Sequence, residues 1–583
     1  MKQDFFNSLN CQQIESVKYT KGPCIIMAGA GSGKTRVLVH KVLYFITEKK
    51  FSPESIIMIT FTNKAAGEMA KRVKKTLGFI GTFHSFCAKI LRRDGAAIDI
   101  DPNFVIYDDN DQQTLIKNIL KQKDISKWTP AYFLNRISAA KNQLITPKKY
   151  LELFSDYNAP MIAEIYQQYQ NTLAKNKALD FDDLIMKTVE LFVKKDDILQ
   201  KYQQKFRAIL VDEFQDTNYA QYTLTRLLSE KNRVITVVGD FSQSIYSWRG
   251  ADIRNLEKFK EDFPETKTYF LEENYRSTQK ILDFAYKVIS NNQTHPILHL
   301  FTKNSKGEEI IFHKADNEEY EAIFLADTIR QLVKTVSYSA MSVLYRTNAQ
   351  SRIIEEAFLH YGIPYILIGG TRFYERKEIK DILSFLRLLI NIDDEVAKDR
   401  VVKIGKKKWE AIKKCSDEIK DRIEEKTTSE LMEEIFQSTD YLKLYNPDDE
   451  EDFSRLENIK ELRSVAITYP KLTEFLEQVA LVENEYFEGE KRRKNNDGVR
   501  LMTLHQAKGL EFPYVFIVGV EEGILPHSRS IDDMFSLEEE RRLFYVGITR
   551  AEHKLYITYA KRRFIFGRRG ESVKSRFIED YCE

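Results

Sequence analysis

The segment Cys24–Thr35, reading CIIMAGAGSGKT, joins a short apolar run to small residues that end in Gly-Lys-Thr. In such a loop the small residues let backbone N–H groups close around phosphate oxygens, while the lysine reaches the outer phosphates and the threonine hydroxyl holds Mg²⁺. The pattern therefore predicts a nucleoside triphosphate site rather than an ordinary glycine-rich turn. The loop residues are Ala28, Gly29, Ala30, Gly31, Ser32, Gly33, Lys34 and Thr35.

Polar residues that suit triphosphate hydrolysis follow two later apolar runs. After Ala208–Val211, Asp212 is expected to bind Mg²⁺ through water, and Glu213 to position or deprotonate the attacking water. After Val234–Gly239, Gln243 is expected to reach the γ-phosphate, where its amide would distinguish a triphosphate from a diphosphate. A plain surface glutamine is the alternative for Gln243.

The segment GDFSQSIYSWRG also carries two aromatic residues and a cation, namely Tyr246, Trp248 and Arg249. Bases of a single-stranded nucleic acid stack on such rings without sequence preference, each base contributing about 1–3 kcal/mol. Packing of Trp248 in the core is the alternative. Phe61 and His84 are further candidates for the same nucleic-acid track.

These residues need strands and helices to hold them. Short β-branched strands alternate with helical stretches, which predicts an α/β fold with parallel sheets covered on both faces. The strands expected in a first sheet are Ile25–Ala28, Ile56–Thr62, Ala208–Val211 and Val234–Gly239. A second set is expected at Thr268–Leu271, Ile310–Phe312, Ser342–Tyr345, Tyr365–Ile368, Val499–Leu504, Tyr514–Val518 and Leu555–Thr558.

Two helical stretches interrupt the strands and predict insertions. The predicted domains are a first core (1–90 and 178–271), its helical insertion (91–177), a second core (272–374 and 498–583) and its shortened helical insertion (375–497). A length of 583 residues agrees with several domains.

Composition narrows the class of protein. Hydrophobic residues make up 43% and charged residues 30%, as in soluble globular proteins, and no apolar run is long enough to span a bilayer. Five cysteines without a CxxC pair indicate neither a disulfide framework nor a zinc site. Because the N-terminus also lacks a secretory signal, a cytoplasmic protein without a membrane partner is predicted.

The net charge of +2 is too small to indicate a nucleic-acid partner. Basic clusters occur at Lys406–Lys408, Lys491–Lys494 and Lys561–Arg569. Each cluster is either a contact for nucleic acid or a solvated face.

Ten motifs, in order along the chain, resemble those of the UvrD/PcrA/Rep family of superfamily 1 DNA helicases. They are AGAGSGKT, TFTNKAAGEM, GTFHSF, LDFDDL, VDEFQDTN, GDFSQSIYSWRGA, ENYRST, LYRTNAQSR, TLHQAKGLEF and RRLFYVGITRAE. As an ordered set they are far more specific than the phosphate loop alone.

The resemblance implies two RecA-like P-loop cores with parallel sheets, each with a mainly helical insertion, and ATP and Mg²⁺ as cofactors. It assigns Gln13 to the adenine edge, Tyr275 to stacking on adenine, Arg36 to the vicinity of the nucleotide, Glu511 to its sugar, and Arg276 and Arg550 to the γ-phosphate. An arginine supplied by the second core makes hydrolysis depend on domain closure, which couples hydrolysis to movement.

The expected function is therefore an ATP-dependent 3′-to-5′ helicase that acts on single-stranded DNA and single-strand/duplex junctions, in DNA repair or replication restart. One alternative is a translocase that displaces proteins with little unwinding, and another is a non-catalytic DNA-binding scaffold. In the family the second insertion usually touches duplex DNA through a Pro-Lys-Arg-Gly-Ile-Gly-like turn. This chain has Val402–Lys408 (VKIGKKK) there, where the lysines are expected to attract duplex by charge.

Overall fold

The computed structural model describes residues 6–125, 127–447, 449–492, 497–565 and 568–581. The chain forms two compact units. The first contains Met1–Arg276 and Asn292–Asn304, and the second contains Ser277–Asn291 and Ser305–Glu583.

The first unit is built on a six-stranded parallel sheet in the order β3-β2-β6-β7-β1-β8. Its strands are β1 (Cys24–Ala28), β2 (Ile56–Thr60), β3 (Phe79–Thr82), β6 (Ala208–Val211), β7 (Ile235–Gly239) and β8 (Lys267–Leu271). Two short parallel pairs accompany the sheet, β4 (Val105–Ile106) with β5 (Ala178–Leu179), and β9 (Glu273–Asn274) with β10 (Phe301–Thr302).

Strand β1 shows why the sheet is covered on both faces. Ile25 and Met27 pack into one apolar cluster, whereas Cys24, Ile26 and Ala28 pack into another. Alternate side chains of a strand point to opposite faces, so a continuously apolar run is what a sheet between two helical layers requires.

Twelve helices accompany this sheet within the described part of the first unit. They are α1 (Cys11–Lys18), α2 (Lys34–Thr47), α3 (Asn63–Val73), α4 (Phe83–Asp94), α5 (Asp109–Gln122), α6 (Pro130–Asn142), α7 (Pro147–Leu153), α8 (Ala159–Lys175), α9 (Phe181–Lys194), α10 (Asp196–Lys205), α11 (Tyr219–Ser229) and α12 (Asn255–Asp262). Helices α5, α6 and α8 enclose an apolar cluster of their own, which includes Phe133, Tyr166 and Tyr169.

The second unit repeats the plan with a six-stranded parallel sheet in the order β11-β16-β15-β12-β14-β13. Its strands are β11 (Ile311–Ala315), β12 (Met341–Tyr345), β13 (Tyr365–Leu367), β14 (Val499–Thr503), β15 (Phe512–Ile517) and β16 (Ala551–Ala560). A hairpin of β17 (Arg562–Ile565) and β18 (Arg568–Glu571) follows.

The helices of the second unit include a continuous helical stretch between β13 and β14. They are α13 (Gln279–Ile289), α14 (Glu318–Leu332), α15 (Ser351–His360), α16 (Lys377–Ile390), α17 (Glu395–Ile404), α18 (Lys406–Ile419), α19 (Thr428–Thr439), α20 (Glu450–Thr468), α21 (Leu472–Arg492) and α22 (Met534–Ile548). One apolar cluster joins α16–α21 to the sheet, since Leu386 and Leu462 belong to the same cluster as Val343 and Val499.

Three segments lie elsewhere than the sequence predicted. Thr268–Leu271 was expected to open the second set of strands, but it belongs to β8, the edge strand of the first sheet, which pairs with β1. Residues 272–276, which include Arg276, and residues 292–304 were predicted in the second core but belong to the first unit, where β9 pairs with β10. Within the described residues, no helix is both long and apolar enough to cross a membrane.

Candidate nucleotide and nucleic-acid sites

The phosphate loop connects the end of β1 to the start of α2 at Lys34. Gly31 has φ of +64° and Gly33 has φ of +84°, a left-handed region in which a side chain would be strained. A Cβ on Gly31 would also lie 2.7 Å from Nδ2 of Asn274. The loop can therefore present its backbone closely to a phosphate only with glycine at these positions.

The predicted acidic pair lies beside the loop lysine. Lys34 Nζ is 3.6 Å from Oε2 of Glu213, although Lys34 begins helix α2 and Glu213 follows strand β6. Glu213 has φ of +50°, which is uncommon for a residue with a side chain and marks a constrained position. The pair brings a cation and a candidate base to one edge of the sheet.

Asp212 is almost fully buried at the end of β6. Burial, and then the charge of Glu213, raise the pKa of Asp212 to about 7. A buried carboxylate of this kind is stabilised by a cation, and the hydroxyl of Thr35 is a second hard oxygen donor.

Within the part of the chain that the structure describes, no group of three or more His, Cys, Asp or Glu side chains could hold a metal ion. Mg²⁺ in phosphate-binding sites is typically held by only one or two carboxylates together with phosphates and water. Thr35 and Asp212 therefore fit Mg²⁺ bound together with a triphosphate.

Gln215, which the sequence analysis did not single out, connects the acidic pair to the next strand end. Its Nε2 donates to Oε2 of Glu213 at 2.7 Å, and its Oε1 accepts the N–H of Asp240 at 3.1 Å. Asp240 in turn accepts Nε2 of Gln243 at 2.6 Å. Gln243 is buried, so the interpretation as a plain surface glutamine is wrong. The glutamine of the VDEFQDTN motif is the sequence signal that could have indicated Gln215.

The residues assigned to adenine surround the other side of the loop. Gln13 Nε2 donates to the carbonyl of Ser32 at 2.9 Å, which ties the N-terminal helix to the phosphate loop. Asn10 Nδ2 lies 3.0 Å from the hydroxyl of Tyr275. The Arg36 guanidinium carbon is 5.6 Å from the centre of the Tyr275 ring, which remains 39% exposed.

Arg276 follows Asn274 and Tyr275, which are hydrogen-bonded to the phosphate loop. Asn274 Nδ2 donates to the carbonyl of Ala30 at 2.7 Å, and the N–H of Tyr275 donates to the carbonyl of Gly31 at 3.0 Å. A Cβ on Gly31 would come 2.9 Å from Cβ of Arg276. These contacts place Arg276 next to the phosphate loop.

Arg550 and Glu511 lie in the second unit. Arg550 is only 2% exposed, and its guanidinium donates to the carbonyls of Val546 and Leu510 at 2.9 and 3.1 Å. Glu511 is exposed at the start of β15. Their assignment to the nucleotide stays a prediction.

The predicted aromatic loop is at the surface of the first unit. Trp248 is 51% exposed, so the alternative of a core tryptophan is wrong. The ring of Tyr246 is 6.4 Å from that of Trp248, and the Arg249 guanidinium carbon is 4.4 Å from the Trp248 ring. A half-exposed indole flanked by a cation suits stacking on bases.

Phe61 and His84 differ in their surroundings. Phe61 is partly buried and packs edge-on against Phe83 at 5.9 Å. The His84 ring is 5.7 Å from that of Phe181, whose side chain is 47% exposed. Burial lowers the pKa of His84, so the imidazole is neutral near pH 7. Phe181 was missed, although it belongs to the LDFDDL motif.

Comparison with known proteins matches both parts of the chain to one family. The family model of the UvrD/REP helicase N-terminal domain covers residues 9–264, and that of the UvrD-like helicase C-terminal domain covers residues 269–441 and 426–562. An ATP-dependent DNA helicase PcrA from Bacillus subtilis is 43% identical, with 100% of this chain and 86% of that protein covered. The proteins of the same name from Staphylococcus aureus and Staphylococcus epidermidis are 43% identical over 99% of this chain and 86% of their own length.

The chain belongs to the UvrD/Rep helicase family. Membership confirms the resemblance drawn from the ten motifs. The two six-stranded parallel sheets confirm the predicted α/β fold with two cores of the kind found in UvrD-type helicases.

The basic clusters of this UvrD/Rep family member have different environments. Lys406 and Lys407 are exposed at the start of α18. Lys408 Nζ instead donates to the carbonyls of Thr439 and Asp440 at 2.7 and 3.2 Å. The side chains of 491–494 and 565–569 lie outside the described residues.

Proposed function

We propose that this chain is an ATP-dependent DNA helicase that moves 3′ to 5′ along single-stranded DNA and separates strands at single-strand/duplex junctions. The observation that carries the proposal is the polar network of Lys34, Glu213 and Gln243 at one edge of a parallel sheet. The exposed indole of Trp248 follows the last member of that network by five residues. The relatives named ATP-dependent DNA helicase PcrA support the same activity.

Phosphate binding is assigned to the loop Ala28–Thr35. Backbone N–H groups of the loop would bind phosphate oxygens, and the Lys34 ammonium would bind the outer phosphates. Mg²⁺ held by Thr35 and Asp212 would neutralise charge on the phosphoryl oxygens.

Water activation is assigned to Glu213. Its carboxylate would accept a proton from the attacking water, while the amide of Gln215, 2.7 Å away, keeps that carboxylate in one orientation. The Gln243 amide would contact the terminal phosphate and so distinguish a triphosphate from a diphosphate. Arg276 and Arg550 would offset the negative charge of the transition state. An arginine in this role can raise the rate of hydrolysis by about 10³–10⁵-fold.

The nucleoside is assigned to the surface around Tyr275. The Tyr275 ring would stack on adenine, the amide of Gln13 would read the base edge, and Arg36 would lie near the nucleotide. Glu511 would contact the sugar. Tyr275 and Gln13 are both held by hydrogen bonds to the neighbourhood of the phosphate loop, which supports a single site.

Single-stranded DNA is assigned to exposed and partly buried aromatic residues of the first unit. Trp248 and Tyr246 would stack on bases, and Arg249 would add charge. His84 with Phe181, and Phe61, would extend the track. In this proposal the protein works in the cytoplasm with repair or replication proteins.

The deciding experiment compares unwinding of 3′-tailed, 5′-tailed and blunt duplexes with ATP. We expect unwinding of the 3′-tailed duplex, together with phosphate release that single-stranded DNA stimulates. Equal unwinding of the 5′-tailed duplex would contradict the polarity. An absence of DNA-stimulated phosphate release would favour the non-catalytic scaffold.

A translocase that displaces proteins with little unwinding is the second candidate. It is favoured by the short stretch Val402–Lys408. Lys408 is engaged with backbone carbonyls, so two of the three clustered lysines, Lys406 and Lys407, are left to meet duplex DNA. Replacing both with Ala should reduce unwinding more than ATPase activity. It should also lower the log-log salt slope of junction binding by up to about 1.8, at ~0.9 per phosphate contact.

The matched control is Lys420→Ala, which replaces an exposed lysine just after helix α18. If the Lys406/Lys407 variant unwinds normally and keeps the salt slope, these lysines do not hold the duplex. A protein-displacement assay run beside the unwinding assay then identifies the translocase.

A further inference from the structure

Residues 292–304, the returning segment, follow helix α13 of the second unit and pack on the first unit. Phe301 and Thr302 pair with β9, and Thr302 Oγ1 donates to the carbonyl of Asn274 at 2.8 Å. Leu298 packs against the apolar cluster of the first sheet. The segment is therefore fixed to the first unit at several points.

The returning segment reaches the phosphate loop. Leu300 is 4% exposed, and a Cβ added to Gly29 would lie 2.3 Å from a methyl carbon of Leu300. This packing leaves no room for a side chain at Gly29. Leu300 therefore packs directly against the backbone of the phosphate loop at Gly29.

The same segment also reaches the turn that carries Gln243. The Ser242 hydroxyl and Nε2 of His295 lie 3.1 Å apart, at hydrogen-bond distance. Ser242 is 4% exposed and His295 8% exposed, so little water competes for this contact. A buried hydrogen bond in the low-dielectric interior fixes position more strongly than an exposed one.

Further anchors of the turn come from residues that follow strand ends of the sheet. Asp240 Oδ1 accepts the N–H of Ser242 at 3.1 Å, and Asp240 Oδ2 accepts Nε2 of Gln243 at 2.6 Å. Ser244 Oγ donates to the carbonyl of Gln215 at 3.0 Å. These bonds hold the backbone of Ser242 and the side chains of Gln243 and Ser244, whereas His295 holds the side chain of Ser242.

We propose that His295 is a positioning residue for Gln243: its hydrogen bond to Ser242 keeps the turn Phe241–Gln243 oriented so that the Gln243 amide meets the terminal phosphate. The inference rests on the proposed function, in which Gln243 distinguishes a triphosphate from a diphosphate. Both ends of the returning segment continue along the chain into the second unit. The contact therefore joins the phosphate-reading turn to the part of the chain that connects the two units.

The test uses the full chain and the variants His295→Ala, Ser242→Ala, the double variant and His295→Gln. We expect His295→Ala to lower kcat of DNA-stimulated ATP hydrolysis by about fivefold to tenfold, the effect of one lost hydrogen bond. KM for ATP should rise by less than kcat falls. Ser242→Ala should have a similar effect, and the double variant should be no worse than either single one.

His295→Gln should recover most of the activity, because the glutamine amide reaches the place of the imidazole Nε2. The ratio of affinities for a non-hydrolysable ATP analogue and for ADP should fall in His295→Ala, since the turn that reads the third phosphate is displaced. A purely structural histidine would lower thermal stability without changing that ratio.

His299→Ala is the matched control, because it replaces an exposed histidine of the same segment. The inference is overturned if His295→Ala and Ser242→Ala match wild type, if their effects simply add, or if the affinity ratio stays at its wild-type value. If the wild-type protein shows no DNA-stimulated hydrolysis, the proposed function fails instead.

Discussion

At the scale of single residues, the ion pair between Lys34 and Glu213 shows how the site is prepared for a triphosphate. At 3.6 Å the ammonium balances a carboxylate that lies next to the buried Asp212. Phosphate oxygens bind an ammonium group more strongly than this carboxylate does. If the Lys34 ammonium paired with them, the Glu213 carboxylate would be left to act on water.

Lys34→Ala should therefore lose ATP turnover while binding of single-stranded DNA stays largely intact, since the aromatic loop does not include Lys34. Phosphate release and DNA affinity are measured on the same preparation, with Lys21→Ala, an exposed lysine, as control. Turnover above roughly one tenth of the wild-type rate would contradict the assignment of the phosphate loop.

Trp248→Ala should weaken single-strand binding by about 1–3 kcal/mol, because a stacking surface is lost. The side chain is 51% exposed, so thermal stability should hardly change. Trp248→Phe, which keeps an aromatic face, should retain part of the affinity. Binding is measured by titration of a labelled oligonucleotide. Unchanged affinity in Trp248→Ala, or a large fall in the unfolding temperature, would count against the stacking role.

At the scale of secondary-structure elements, a buried charge cluster ties helix α6 to the start of helix α9. Lys141 on α6 donates to Asp180 and Asp183 at 2.6 and 2.9 Å, and all three side chains are buried. Tyr169 Oη also donates to Asp180 at 2.9 Å. The next residue, Asn142, accepts from Asn218 of the core at 2.7 Å.

Lys141→Met should lower the free energy of unfolding by about 3–5 kcal/mol, because it leaves two carboxylates buried without a cation. Lys117→Met, on exposed α5 surface, is the control and should change little. Urea unfolding measures both. If Asp183→Asn added to Lys141→Met does not recover part of the loss, uncompensated charge is not the cause.

At the scale of the whole molecule, stability should depend on pH through the core of the second unit. Glu355 on α15 is fully buried, and it accepts Ser351 Oγ at 2.7 Å and Tyr365 Oη at 3.2 Å. Burial raises the pKa of Glu355 to about 7 from 4.5, against the opposing charges of Arg376 and Arg372. The folded state therefore binds this proton more tightly than the unfolded chain.

The stabilising contribution of Glu355 is fully present below pH 4.5 and is lost as pH rises towards about 7. Glu355→Gln should remove this pH-dependent contribution. Between about pH 5 and pH 8 the wild type should therefore lose up to about 3 kcal/mol more free energy of unfolding than the variant does. Urea unfolding of both proteins at the two pH values measures the difference. An identical pH dependence in wild type and variant would rule out Glu355 as the source.

The short-range features of this protein can be predicted from its amino-acid sequence. Apolar runs predicted β1, β6 and β7 to within one residue at each end, and β2 with two residues too many, because strands buried on both faces must be continuously apolar. Motif order predicted the family, and residue type predicted the Lys34, Asp212 and Glu213 chemistry. These features depend on short-range spacing, which is written directly in the chain.

Features that depend on contacts between distant segments are visible only in the folded structure. Only the sheet order shows that Lys267–Leu271 is the edge strand of the first sheet, since a strand's own residues do not specify which strand it pairs with. The contact of Gln215 with both Glu213 and Asp240, and that of His295 with Ser242 across 53 positions, arise where strand ends and the returning segment meet. Side chains far apart in sequence carry no periodic signal of such a meeting, because burial and hydrogen bonding are set by the packed neighbours.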